Sequence, residues 1–116
     1  MFIIKRGTTP TLEVNIEFDI SKVQCLEFVF KRYPEEDAED LVVKEYNSEN
    51  LNTKDDENAN GFVALVDLTR EETLKLPIGN LFMDTRITTT EGKTPRPDIV
   101  EGKVVGTFFK GAHNCD

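Results

Sequence analysis

Tryptophan is absent from the 116 residues, histidine occurs once, and there are only two cysteines and two serines. Two cysteines, Cys25 and Cys115, are too few for the patterned disulfide framework of a small secreted scaffold. They read as unpaired thiols in a reducing compartment, with a disulfide tying the tail to a strand as the other reading. Neither serine, Ser21 or Ser48, sits in a G-x-S-x-G elbow. The seven glycines are scattered along the chain, so no phosphate-cradling loop is present. Positive charge is also short: 14 basic residues stand against 22 acidic ones, giving a net charge of −8. A nucleic-acid partner would call for a basic stripe, and none is expected here. No apolar run approaches the roughly 18 residues that a membrane-spanning helix requires, so no membrane partner is expected either. The opening Met1–Gly7 places its apolar residues before its charges, the reverse of a secretory signal.

What is present is mostly period two. Leu12, Val14, Ile16 and Phe18 alternate with Thr11, Glu13, Asn15 and Glu17, the signature of a half-buried strand. Leu26, Phe28 and Phe30 alternate with Cys25, Glu27, Val29 and Lys31; Phe62, Ala64, Val66 and Leu68 form another set. Leu81, Met83, Thr85 and Ile87 stand opposite Phe82, Asp84, Arg86 and Thr88. Ile99 to Phe109 is strand-like on both faces, and Gly102 and Gly106 within it imply a bulge or a close backbone approach. With Met1 to Lys5 and Leu41 to Tyr46, the count is about seven strands. Asn60-Gly61 and Glu91-Gly92 mark hairpin turns, since asparagine and glycine tolerate positive φ. Pro95 and Pro97 loosen the start of the last strand. Thr69-Arg70-Glu71-Glu72 matches a capping box and predicts one short helix, stopped by Pro77 and Gly79. The expectation is all-β: an immunoglobulin-like antiparallel β-sandwich of about seven strands with one short helix.

The acidity is local. Residues Tyr33 to Asn60 hold ten acids and two bases, while the remainder of the chain is balanced. This stretch reads as loop-rich and solvated around the apolar run Leu41-Val42-Val43, with an acidic binding patch as the other reading. A single sandwich domain over 1–112 is expected, carrying the acidic stretch 33–60, with a flexible tail at 113–116.

Candidate chemistry is thin. Asp56-x-Asn58-x-Asn60-Gly61, with Asp67 at the twelfth position, matches a calcium loop. Against it, Asp67 has a shorter arm than glutamate, two carboxylates make a weak site, and Phe62–Leu68 alternates as a strand where a helix is required. The other reading is a polar loop closed by an Asn-Gly hairpin turn, so no metal or cofactor is assigned. His113 and Cys115 offer two ligands where zinc takes three or four. A Cys25–His113 dyad would need a depressed thiol pKa, and Cys25 has no basic neighbour in sequence and no helix N-terminus beside it. No catalytic residues are assigned, and no enzyme is expected.

Four stretches taken in order carry a resemblance: Ile4-Lys5-Arg6-Gly7-Thr8-Thr9-Pro10-Thr11-Leu12, then Leu68-Thr69-Arg70-Glu71-Glu72-Thr73-Leu74-Lys75-Leu76, then Arg86-Ile87 leading to Glu91-Gly92-Lys93, and finally Val105-Gly106-Thr107-Phe108-Phe109-Lys110-Gly111. The sequence resembles small prophage-encoded proteins of Gram-positive bacteria. More distantly it is similar to the N-terminal immunoglobulin-like domain of phage baseplate upper proteins. The likeness leaves out residues 33–60 and departs at Pro95 and Pro97. It implies a non-enzymatic structural or assembly protein of a phage tail, neck or baseplate, made in the host cytoplasm and carried in the virion. Its partners would be other virion proteins or a second copy, with Met1–Lys5 as a docking edge. The alternative function is a cell-surface carbohydrate- or calcium-binding module, for which Tyr33 and Tyr46 make a sparse aromatic platform.

Overall fold

A computed structural model describes residues 1–55, 61–92 and 94–106. Among the described residues there are eight strands: β1 (Phe2–Lys5), β2 (Thr11–Ile16), β3 (Val23–Lys31), β4 (Asp40–Asn47), β5 (Asn52–Asp55), β6 (Phe62–Asp67), β7 (Gly79–Thr89) and β8 (Val100–Val105). The helix α1 (Arg70–Leu74) and a single 3-10 turn (Ile20–Lys22) complete the elements. One sheet has the order β1-β8-β7-β3-β4 and the other the order β2-β6-β5. The chain crosses between the sheets at β1-β2, β2-β3, β4-β5 and β6-β7, as in an immunoglobulin-like β-sandwich, with β1 and β4 flanking the central β3-β7-β8 group.

The alternation seen in the sequence explains the packing. Leu26, Phe28 and Phe30 of β3, Leu81, Met83 and Ile87 of β7, and Ile16, Ala64 and Val66 of the opposing sheet are all almost fully buried. Phe28 is fully buried and stacks edge-on with Tyr46 of β4. Burying one such side chain contributes about 1.5–3 kcal/mol.

Two features correct the sequence reading. The acidic stretch is not only loop around one strand: it holds β4 and also β5, which pairs with β6. Asn52, Thr53 and Lys54 are exposed and polar, so this edge strand carries no period-two apolar signal. Pairing is antiparallel throughout except for β1, which runs parallel to β8. Of the stretch Ile99 to Phe109 read as strand-like, Val100–Val105 forms β8, and positions 107–109 lie outside the described residues.

Glycine is required at two positions by crowding. A Cβ at Gly102 would lie 2.3 Å from the Phe2 ring, which packs across β8. A Cβ at Gly61 would lie 1.9 Å from the Ile16 carbonyl oxygen, so the close approach of β2 excludes a side chain there.

Helix α1 ties together segments that are distant in the chain. The expected capping box is formed: the Glu72 N–H donates to Thr69 Oγ1 at 3.1 Å, and the Thr69 N–H donates to Glu72 Oε1 at 2.8 Å. Glu72 also receives Lys44 Nζ of β4 at 3.0 Å. The buried Thr73 hydroxyl accepts from the Gly7 N–H at 3.0 Å and lies 2.9 Å from the Thr8 carbonyl oxygen. Arg6 Nη2 donates to the Leu74 carbonyl at 2.8 Å. The connection between β1 and β2, which crosses from one sheet to the other, is therefore held by α1.

Three outcomes follow for stability. Gly102→Ala forces Phe2 off β8 and lowers unfolding stability by about 1–3 kcal/mol; in a Phe2→Ala background the same change costs much less, and equal costs in both backgrounds would contradict the packing. Thr73→Val keeps the shape but strands the Gly7 N–H and Thr8 carbonyl, at about 1–3 kcal/mol, whereas Thr73→Ser retains most stability in a urea melt. For Glu72, burial raises the carboxyl pKa, but the Thr69 and Lys44 hydrogen bonds outweigh it and hold the group below the ordinary carboxylate value. A carboxyl depressed in the folded state contributes stability above its unfolded pKa and loses it as pH falls through the folded value. Stability measured from pH 6 downward should thus fall below about pH 4, and less steeply in Glu72→Gln.

Candidate functional site

The residues singled out from the sequence do not assemble into a reactive centre. Asp56, Asn58 and Asn60 of the calcium-loop match lie outside the described residues. Asp67, its remaining member, ends β6 and accepts a hydrogen bond from the Thr11 hydroxyl of β2. The second half of the match, Phe62–Asp67, is strand β6, paired with β2 and β5, which is not the loop of an EF-hand. Among the described residues, no three His, Cys, Asp or Glu side chains are placed to hold a metal. His113 and Cys115 also lie outside the described residues, as does the tail 113–116. Cys25 is a free thiol on β3. Burial raises its pKa first, the Glu27 and Glu45 carboxylates raise it further, and Arg86 only partly opposes them. That is the reverse of an activated nucleophile.

The structure instead assembles a face that the sequence reading did not single out. The five-stranded sheet has one face in the core and one in solvent. On the solvent face, register sets Val29 of β3 between Asp84 of β7 and Val43 of β4. The next row sets Lys31 between Phe82 and Asp40, and the row on the other side pairs Glu27 with Arg86. The segment before β8 runs beside β7, where the Pro95 carbonyl accepts from the Ile87 N–H at 3.4 Å. Prolines at 95 and 97 have no N–H to extend the ladder, so this segment stays irregular and brings Arg96 and Ile99 over the sheet.

A shallow groove of about 470 Å³ results, with Val29, Val43, Phe82 and Ile99 in its lining and Tyr33, Pro34, Glu35 and Glu36 on one side. Val43 and Ile99 are each 46% exposed, Tyr33 is 58% exposed, and Phe82 and Val29 are half-buried. Three ion pairs line the same groove. Arg86 holds Glu27 through two bonds of 3.0 and 2.6 Å, which raise the guanidinium pKa. Arg96 Nη2 lies 3.4 Å from Asp84. Lys31 Nζ lies 3.4 Å from Asp40 and donates to the Glu36 carbonyl at 2.8 Å. Each exposed pair contributes at most about 1 kcal/mol to stability. Their larger effect is to fix charged side chains around apolar ones, the arrangement of a docking surface with an apolar centre and a polar rim.

A sequence signal for this face did exist. Val29, Val43 and Phe82 occupy the polar phase of their strands, where alternation calls for hydrophilic residues. Their convergence required the register, which the sequence does not print. The expected docking edge β1 is indeed an edge strand, with Ile3 65% exposed. β4 is the opposite edge of the same sheet. Among the described residues no helix is long and apolar enough to cross a membrane.

No protein-family model matches the chain, and no curated protein matches it. Among solved structures, the chain is similar to an NK cell receptor that is a triggering partner in natural cytotoxicity. That likeness has 17% identity and a TM-score of 0.44, and covers 91% of this chain and 97% of the receptor chain. The chain is also similar to the extracellular domain of the voltage-gated sodium channel beta4 subunit, with 14% identity and a TM-score of 0.37, covering 92% of this chain and 91% of that one. At these values no residue role is carried from either protein to this chain.

Proposed function

We propose that this chain is a non-enzymatic protein-docking module, a structural or assembly component of a phage tail, neck or baseplate, and that it docks through the solvent face of its five-stranded sheet. The observation that carries this reading is the cluster of Val29, Val43 and Phe82, apolar side chains at polar-phase positions, with the exposed Ile99 beside them and three ion pairs around them. Contiguous exposed apolar surface rimmed by charge is uncommon on a chain with nothing to bind. The resemblance to prophage-encoded proteins supplies the setting, and the partner is a neighbouring virion protein or a second copy. The raised pKa of Cys25 and the absence of a ligand cluster among the described residues leave catalysis without a supporting observation.

The test is induction of the source bacterium, purification of phage particles and quantitative mass spectrometry for this chain. A fixed copy number per particle is expected. Particles that form without the chain while it accumulates free in the cytoplasm would overturn the phage setting. Val43→Asp, at an exposed site where the fold should tolerate it, should reduce incorporation about tenfold or more. Wild-type incorporation of a folded Val43→Asp protein would overturn the choice of face.

A further inference from the structure

The charges around the groove are unevenly matched. Its lining contains five carboxylates, those of Glu27, Glu35, Glu36, Asp40 and Asp84, and three cations, those of Lys31, Arg86 and Arg96. Each cation is already engaged, Lys31 with Asp40, Arg86 with Glu27 and Arg96 with Asp84. Glu35 and Glu36 remain. Lys31 binds their backbone carbonyls at 3.3 and 2.8 Å, which holds this part of the lip in place. Their carboxylates have no partner among the described residues, and both residues are exposed. A groove that presents Val29, Val43, Phe82 and Ile99 among polar groups thus has two unneutralised negative charges at one lip, on a chain of net charge −8.

We propose that this groove takes an extended cationic segment of a partner protein, which lays an aliphatic or aromatic side chain against Val43, Phe82 and Ile99 and sets a lysine or arginine against Glu35 and Glu36. The proposal rests on the reading of this face as the docking surface and adds the chemistry of the partner. A second copy of this chain is the poorer occupant, because the same face meeting itself adds negative charge to negative charge, and like charges across an interface disfavour association. A cation from the partner meets no competing internal base at Glu35 or Glu36, and an apolar side chain removes Val43 and Ile99 from water at no polar cost.

The test uses the full chain, isotopically labelled for NMR, titrated at low salt with four synthetic ten-residue peptides. One alternates leucine with lysine, one leucine with glutamate, one leucine with glutamine, and one serine with lysine. The expected result is chemical-shift change confined to residues around Val43, Phe82 and Ile99 with the leucine–lysine peptide, and at least about tenfold weaker binding of the other three. The double substitution Glu35→Gln and Glu36→Gln should weaken leucine–lysine binding about threefold to tenfold, and raising salt should weaken it similarly. Equal binding of the leucine–glutamine peptide would overturn the cationic specificity while leaving the docking face standing. Changes spread along β1 with none at the groove would overturn the docking face itself. Sedimentation of the free chain covers the remaining occupant: dimers abolished by Val43→Asp would overturn the foreign cationic partner in favour of a second copy.

Discussion

The hydroxyl of Thr73 stands where two segments of the sandwich must be joined. Its side chain is buried, accepts from the Gly7 N–H and lies within hydrogen-bonding distance of the Thr8 carbonyl. Those residues belong to the crossing from β1 in one sheet to β2 in the other. One residue earlier in the helix, Glu72 closes the capping box and binds Lys44 on β4. A helix of five residues has little stability of its own, so it persists through these caps and contacts. Because β1 and β4 are the two edges of the five-stranded sheet, the contacts around α1 bear on both sides of that sheet at once.

That constraint matters for the docking face. The face consists of the outward half of an alternating pattern whose inward half makes the core. Val29 projects outward because Phe28 and Phe30 project inward, and Val43 because Val42 is buried beside Phe30. The position of the groove is therefore set by core packing, with no loop needing to close over it. The ion pairs then hold its rim, and the irregular proline segment brings Arg96 and Ile99 over the side nearest β8. Such a surface suits association that loses little entropy on binding, since most of its side chains sit on strands.

Much of the architecture could be read from residue order. Strong alternation located β2, β3, β6 and β7, and the capping box located the start of α1, because these signals are local. β5 could not be read: a short exposed edge strand of Asn, Thr and Lys buries nothing and carries no periodicity. The parallel pairing of β1 with β8 joins residues about a hundred positions apart, and no short-range pattern encodes it. Gly102 did signal a close approach, and the approaching group is the Phe2 ring. The docking face was legible only as misplaced apolar residues at 29, 43 and 82. Turning them into one surface required the β3-β4 and β3-β7 registers, including the irregularity between Phe30 and Lys31.

The measurement closest to the central claim is hydroxyl-radical footprinting of side chains in the free chain and in purified particles. It reads solvent access at individual apolar residues and requires no knowledge of the partner. The account predicts that Tyr33, Val43, Phe82 and Ile99 are oxidised in the free chain and protected in the particle, while Ile20 and Ile78, exposed elsewhere, stay reactive in both. Protection of Ile3 and Val105 beside β1, with the groove residues still reactive, would place the contact on the wrong edge and contradict the claim.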